Sequence, residues 1–319
     1  MKVRSVAIIT PGGDAPGMNA CVRAVVKYAT FYGYKVFGIK RGYEGLLKNE
    51  FVVLDSHSVS GIIHHGGTIL KSNRCKEIKT YSGIKKAAKN LMERDVGCLI
   101  VIGGDGSLSA GYRISKEGIR VIGIPASIDN DIYGTDETIG YDTALDTAVE
   151  AIDKIRDTAT SFERVFVIEV MGREHGFLAL DIAAASGAEV VVVPEIKFNI
   201  NNIVEKIKLA KVKGKSSMII IFAEGAGNSK LFAEEISRRT SLEVRVSVLG
   251  YIQRGGNPTA RSRILALRMG SYAVDLIRKR IFNVYTVIRN NKITYLPLSE
   301  LRKRKVFDIK YKEMIEKIS

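Results

Sequence analysis

VRSVAIITPGGDAPGMNACVRAVVKYA, from Val3 to Ala29, is the stretch on which the fold turns. Val3 to Thr10 is an apolar, β-branched run of strand length. Pro11 to Gly17 is a loop with three glycines and two prolines, and from Ala20 to Ala29 the apolar residues recur at helical spacing. A strand that feeds a helix through a glycine-rich turn is the repeating unit of α/β sheets.

The same alternation runs outward along the chain. Strand-like runs recur at Cys98 to Ile102, Val121 to Ile124, Arg164 to Val170, Val190 to Val193, Met218 to Phe222 and Val244 to Leu249. Their near-continuous apolar character predicts strands buried on both faces, hence parallel sheets covered by helices. Helical spacing appears between them at Ile84 to Met92, Thr143 to Ile155, Ile203 to Ala210 and Ile264 to Ile277. Near the end, Val284 to Ile288 and Ile293 to Leu296 alternate around Asn290-Asn291, a pair that tolerates positive φ, and so predict a hairpin. With 319 residues the chain is long enough for two lobes, and the expectation is an α/β protein of two doubly wound lobes with mostly parallel sheets.

Bulk properties narrow the function. No run approaches the ~20 apolar residues of a membrane span, and Val3 to Thr10 enters a strand without a basic leader. Three widely spaced cysteines, Cys21, Cys75 and Cys98, fit neither a disulfide framework nor a zinc site, so the expectation is a reducing cytoplasm. The chain has 49 Lys and Arg against 34 Asp and Glu, a formal charge of +15, which invites a nucleic-acid reading. From Arg278 onward there are 12 Lys and Arg against 4 Asp and Glu, so much of the excess sits in the tail, and there is no tryptophan or nucleic-acid-binding motif. A solvated basic face and phosphorylated small substrates account for the charge, and neither nucleic acid nor membrane is expected as a partner.

The polar loops fall at strand ends. Pro11 to Gly17 follows the first strand, Gly103-Gly104-Asp105-Gly106-Ser107 follows Cys98 to Ile102, and Ser127-Ile128-Asp129-Asn130-Asp131 follows Val121 to Ile124. Ligands of open α/β sheets bind at the carboxyl ends of strands, so three such loops predict a site. Glycines there let backbone N–H groups approach phosphate oxygens, and Gly12, Gly13, Gly103, Gly104 and Gly106 suit that task. Gly214-Lys215-Ser216 is no P-loop, because Leu209 stands where the first glycine belongs and the strand follows it. Asp105 is the natural Mg²⁺ carboxylate, since nucleotide-bound Mg²⁺ takes only one or two from the protein; the alternative is a turn aspartate capping a helix. Asp129 and Asp131 are candidates for a general base, or else members of an Asx-turn cluster. Arg74, Arg164, Arg173, Arg245 and Arg254 lie in loops or at strand ends, where guanidinium groups can meet phosphate or simply face water.

Five segments carry a family resemblance: TPGGDAPGMNA (Thr10 to Ala20), GGDGS (Gly103 to Ser107), IDNDIYGTD (Ile128 to Asp136), EVMGR (Glu169 to Arg173) and LGYIQRGG (Leu249 to Gly256). In order and spacing they closely resemble the bacterial ATP-dependent 6-phosphofructokinases, over nearly the whole chain until about Arg278. The resemblance implies phosphoryl transfer from MgATP to the 1-hydroxyl of fructose 6-phosphate. It implies an ATP-binding lobe over residues 1–138 with 251–301, and a sugar-phosphate lobe over 139–250 with 302–319. Gly12, Tyr43, Arg74, Cys75, Gly104, Gly106 and Ser107 are the implied nucleotide contacts, with Asp105 on Mg²⁺. Asp129 is the implied base, with Ser127 and Arg173 at the transferring phosphoryl. Ile128, Asp131, Met171, Gly172, Glu224, Tyr251 and Arg254 complete the implied sugar-phosphate set, and Arg164 and Arg245 are implied to reach the 6-phosphate of a neighbouring subunit in a homotetramer. An effector site for a nucleoside diphosphate or phosphoenolpyruvate is implied at Arg23, Lys27, Arg156, Gly187, Glu189, Lys213 and Lys215.

The departures have chemical consequences. Tyr251 replaces a usual histidine, and its phenol donates a hydrogen bond but cannot become cationic near neutral pH. Ser127 replaces a threonine and Cys75 a phenylalanine on the ATP side. Lys27 and Ser56 replace arginines and Ser217 a histidine in the effector set, which predicts weak regulation. Three rivals compete: a pyrophosphate-dependent relative, a NAD- or lipid-kinase relative with a GGDG loop, and a catalytically silent regulatory subunit. The first carries aspartate for Gly106 and lysine for Ala126, the second lacks the IDND and QRGG segments, and the third has no use for a base at Asp129.

Overall fold

A computed structural model describes residues 3–318. In chain order its main elements are β1 (Ser5–Ile9), α1 (Met18–Phe31), β2 (Lys35–Ile39), α2 (Gly42–Leu47), β3 (Phe51–Leu54), α3 (Tyr81–Glu93), β4 (Cys98–Gly103), α4 (Asp105–Ser115), β5 (Val121–Pro125) and α5 (Tyr141–Ser161). There follow β6 (Val165–Val170), α6 (Phe177–Ser186), β7 (Val190–Val192), α7 (Ile200–Val212), β8 (Met218–Ala223), α8 (Ser229–Thr240) and β9 (Val244–Val248). The chain ends with α9 (Ala260–Arg278), β10 (Val284–Arg289), β11 (Lys292–Pro297) and α10 (Ile309–Ile318). Helix starts are where short polar side chains can cap them: Thr80 accepts from Gly83 N at α3, Asn228 from Lys230 N and Leu231 N at α8, and Thr259 from Ser262 N at α9. No helix among the described residues is long and apolar enough to cross a membrane.

Two compact units result, the first made of the described residues through Thr143 with Arg254–Lys305, the second of Ala144–Gln253 with the chain from Val306 onward. The first is built on a seven-stranded sheet, in the order β11-β10-β5-β4-β1-β2-β3. Its central pairs are parallel, and only the outer pairs β2–β3 and β10–β11 are antiparallel. β1 and β4 are buried along their whole length, as their unbroken apolar sequences predict. Truncating a side chain such as Ile100 there to alanine would cost about 2–5 kcal/mol. The hairpin forms where it is expected, with Asn290 and Asn291 at φ +47° and +60°.

The second unit has four parallel strands in the order β7-β8-β6-β9. β8, with the sequence MIIIFA, is buried throughout. β9 corrects the expectation of burial on both faces: it is an edge strand whose Arg245 and Val248 are exposed. Its valines alternate with Arg245 and Ser247, and one unpaired edge with polar positions facing water needs no second apolar face.

Candidate functional site

In the first unit the three polar loops leave the carboxyl ends of β5, β4 and β1, which are neighbours in the sheet, so they share one edge. They are stitched together by hydrogen bonds. Ser107 Oγ donates to the Pro11 carbonyl at 2.8 Å, joining the GGDGS loop to the first glycine loop. The Ala126 N–H donates to Gly103 O at 3.0 Å, joining GGDGS to the Asp-rich loop. Tyr43 is buried beneath, and its hydroxyl donates to Ser107 O at 2.7 Å; burial pushes its phenol far above the ordinary value. Tyr43 therefore props the loop from the core side.

Helices α1 and α4, which begin at the two glycine loops, have no side-chain cap, unlike α3, α7, α8 and α9. Uncapped N-termini next to glycines leave donors and the positive end of the helix dipole available to an anion. Asp105 and Gly106 are exposed in the first turn of α4. A methyl group on Gly106 would meet nothing within 4 Å, so packing does not require glycine there. Gly13 is different, because a methyl on it would collide with the guanidinium of Arg254, which donates to Asp14 O at 3.1 Å.

The Asp-rich loop is ordered by its own residues. Asp129, 2% exposed, donates its N–H to Ser127 Oγ at 3.2 Å, and the Thr138 hydroxyl donates to Ser127 O at 2.5 Å. Asn130 takes a left-handed conformation at φ +50° and donates to Asp136 O at 3.1 Å. Ile128 is buried and Asp131 half-buried. Arg74 is exposed, and Cys75 is half-buried against the core beside it. The expected contacts of the nucleotide and base loops thus fall in one unit, and among the described residues no group of three or more His, Cys, Asp or Glu is placed to hold a metal.

In the second unit Met171, Gly172, Arg173 and Glu224 come together. Glu224 Oε1 accepts the N–H groups of Gly172 and Arg173 at 3.2 and 2.7 Å, and Gln253 Oε1 accepts that of Met171 at 2.9 Å. A methyl on Gly225 would strike the Arg173 carbonyl, so these segments are pressed together. Arg173 itself sits at φ +54°, a conformation that costs an L residue energy and marks functional turns. Gln253, fully buried, escaped the sequence reading because QRGG was valued for its arginine and glycines. Arg164 and Arg245 both pair with Glu243, another residue the sequence reading passed over. Tyr251 is 82% exposed.

The effector candidates divide between the units. Arg23 and Lys27 lie half-buried on α1 of the first. In the second, Glu189 is 3% exposed; its carboxylate accepts the Ile219 N–H at 2.6 Å and faces Lys215 at 2.7 Å and Arg156 at 3.8 Å. Arg156 also donates to Ser186 O at 2.6 Å, beside Gly187 at the end of α6. Lys213 and Lys215 line a cleft of about 540 Å³ with Glu189.

A family model described as Phosphofructokinase matches residues 5–277. The ATP-dependent 6-phosphofructokinase of Clostridioides difficile (strain 630) is 47% identical over 318 residues, covering 99% of this chain and 100% of the relative. The protein of the same name from Bacillus subtilis (strain 168) is 46% identical over 303 residues, 95% of each chain. Among solved structures, Pichia pastoris phosphofructokinase in the T-state matches with a TM-score of 0.90 at 36% identity, over 94% of this chain and 35% of that longer one. The pyrophosphate-dependent phosphofructokinase of Marinobacter aquaeolei shares the fold, with a TM-score of 0.84 at 22% identity.

Proposed function

The chain belongs to the phosphofructokinase family, and from that premise we propose that it is an ATP-dependent 6-phosphofructokinase, a phosphotransferase of glycolysis. It moves the γ-phosphoryl of ATP to the 1-hydroxyl of fructose 6-phosphate, releasing ADP and fructose 1,6-bisphosphate. The observation that carries the choice of donor is the open space at Gly106 in the first turn of uncapped α4, where the backbone is free to meet a nucleotide phosphate.

The first unit takes the nucleotide. Gly12, Gly104, Gly106 and Ser107 cradle its phosphates, while Arg74 and Cys75 lie alongside. Asp105 fits Mg²⁺: it is an exposed carboxylate in the first turn of α4, and nucleotide-bound Mg²⁺ takes only one or two carboxylates from a protein while phosphates and water supply its other ligands. When bound, that ion neutralises charge on the β- and γ-phosphates. Asp129 takes the proton of the 1-hydroxyl as the hydroxyl oxygen attacks phosphorus and the bond to the ADP oxygen breaks. Ser127 and Arg173 stabilise the charge on the moving group.

Met171, Gly172 and Glu224, and Ile128, Asp131 and Arg254, are the residues proposed to take the sugar phosphate. Arg164 and Arg245 serve the 6-phosphate of a neighbouring subunit in a homotetramer, while Tyr251 belongs with the sugar-phosphate residues of its own site. Exposure of the apolar Val248 and Ile252 together with Tyr251 supports a covered face there. Arg23, Lys27, Arg156, Gly187, Glu189, Lys213 and Lys215 form an effector site. Three free cysteines without disulfides agree with a cytoplasmic location.

Purified protein assayed with fructose 6-phosphate and either ATP or pyrophosphate tests the reading. ATP is the preferred donor, and Asp129→Asn lowers kcat by about 10²- to 10⁴-fold with little change in KM for the sugar. Preference for pyrophosphate, or a near-parental kcat in Asp129→Asn, removes it.

A further inference from the structure

The turn that carries Arg173 is pinned at both ends by carboxylates. Glu224 holds the N–H groups of Gly172 and Arg173 at its start. At its end both oxygens of Glu195, in the loop after β7, accept the Gly176 N–H, at 2.9 and 3.1 Å. The same carboxylate lies 3.7 Å from His175 Nδ1. Gly176 opens helix α6 without a side chain that could cap it, so Glu195 supplies the cap from another element. The fit is close: a methyl on Gly176 would stand 2.7 Å from Glu195 Oε2 and 2.6 Å from Val193. The His175 N–H closes the turn on Gly172 O at 3.0 Å. Between the pinned Arg173 and Gly176 lie only Glu174 and His175. Arg173 is left-handed, a state that persists only where the surroundings over-determine it.

We infer that Glu195 is a positioning residue for Arg173: by fixing Gly176 it sets the far end of the turn and so where the guanidinium stands. The inference rests on the assignment of Arg173 to the transferring phosphoryl. A residue that only capped α6 would lower stability and leave the kcat of the folded enzyme unchanged. A positioning residue lowers kcat through Arg173 and through nothing else, because small misplacements of a charge-stabilising group are costly, on the order of 10²-fold for 1 Å.

The test is a double-mutant cycle on the full chain, with ATP and fructose 6-phosphate as substrates and melting temperature recorded for every variant. Parental activity is measured first, and its absence would end the assigned reaction before the cycle begins, and this inference with it. Glu195→Ala is expected to lower kcat about 10- to 100-fold with the KM for ATP within about threefold. Glu195→Gln, which keeps an acceptor oxygen, recovers kcat to within about threefold of the parent. In an Arg173→Ala background, Glu195→Ala costs no more than about twofold further. If Glu195→Ala does not fold, Glu195→Asp, one methylene short, carries the same cycle. Losses that multiply in the double variant, a parental kcat in the folded Glu195 variant, or a parental kcat in Arg173→Ala each overturn the inference.

Discussion

Arg164 Nε donates to Glu243 Oε2 at 2.6 Å, and the same carboxylate also takes Arg245, so one acid is shared by, and competes for, both arginines assigned to the sugar 6-phosphate. Arg164, then Arg245, holds the Glu243 carboxyl below the usual carboxylate range. A carboxylate with a depressed pKa keeps its pairing above its ordinary pKa and loses it only as pH falls through the depressed value. The competition therefore persists at every neutral pH, and a substitution is needed to relieve it. Glu243→Gln is expected to lower the half-saturating fructose 6-phosphate concentration about 1.5- to 5-fold, the modest effect of an exposed, solvent-screened ion pair. An increase on titration would mean that Glu243 orients the arginines and does not compete for them.

Thiol labelling locates the nucleotide. Cys21 and Cys98 are wholly buried, and burial pushes both thiols far above their ordinary range, while Cys75 is half-buried next to Arg74. Iodoacetamide on the folded protein is expected to modify Cys75 and spare the other two, as read by peptide mass spectrometry. Saturation with MgATP at ten times its Kd slows that labelling roughly tenfold by mass action. Labelling that ATP leaves unchanged would move the nucleotide away from Cys75.

Much of this was legible in the chain because glycine and aspartate placement is a local signal. The three polar loops, the parallel strands before them and the Asn290-Asn291 hairpin all follow from runs a few residues long. β2 and β3 were passed over because LysValPheGlyIle and PheValValLeu are short, and their strand character comes from pairing with β1 and with each other. α6 was missed for the opposite reason: apart from Asp181 and Ser186, the residues of Phe177–Ser186 are all apolar, so no helical periodicity stands out. Glu195, Glu243 and Gln253 hold Gly176, Arg164 and Met171, partners 19 to 82 residues away, contacts that no local pattern encodes. Glu224 is legible through family likeness alone, and in the fold it holds the backbone N–H groups of Gly172 and Arg173.

Regulation is expected to be weak. Glu189 already draws in Lys215 and Arg156, so two of the effector cations are partly neutralised before any ligand arrives. Ser217, standing for a histidine, spends its hydroxyl at 3.3 Å from that of Thr160, and Ser56 lacks the charge of the arginine it replaces. Charge-assisted hydrogen bonds are worth ~1.5–3 kcal/mol each and allosteric coupling is itself only ~1–3 kcal/mol, so two missing donors remove most of it. Millimolar phosphoenolpyruvate should shift the half-saturating fructose 6-phosphate concentration no more than about threefold. A fifty-fold shift would show that the remaining cations suffice.

Gly106 offers the sharpest test of the donor, because its variants separate chemistry from folding. A side chain there meets open space, its φ is not left-handed, and the position lies in the first turn of α4, where an acidic residue is favoured by the helix dipole. Gly106→Asp should therefore leave the melting temperature unchanged or slightly raised, the reverse of what a structural glycine would give. Its carboxylate would stand beside Asp105 against the phosphates of ATP, and like-charge juxtaposition costs several kcal/mol, so the KM for ATP should rise at least about tenfold. Pyrophosphate-dependent relatives carry aspartate at this position, so the ratio of kcat/KM for ATP to that for pyrophosphate should fall by at least the same factor. Gly106→Ala, adding a methyl into empty space, is the control and should keep both donors within about twofold of the parent. If Gly106→Asp retains parental ATP kinetics with an unchanged melting temperature, the nucleotide phosphates do not pass the first turn of α4, and the loop has been assigned the wrong ligand.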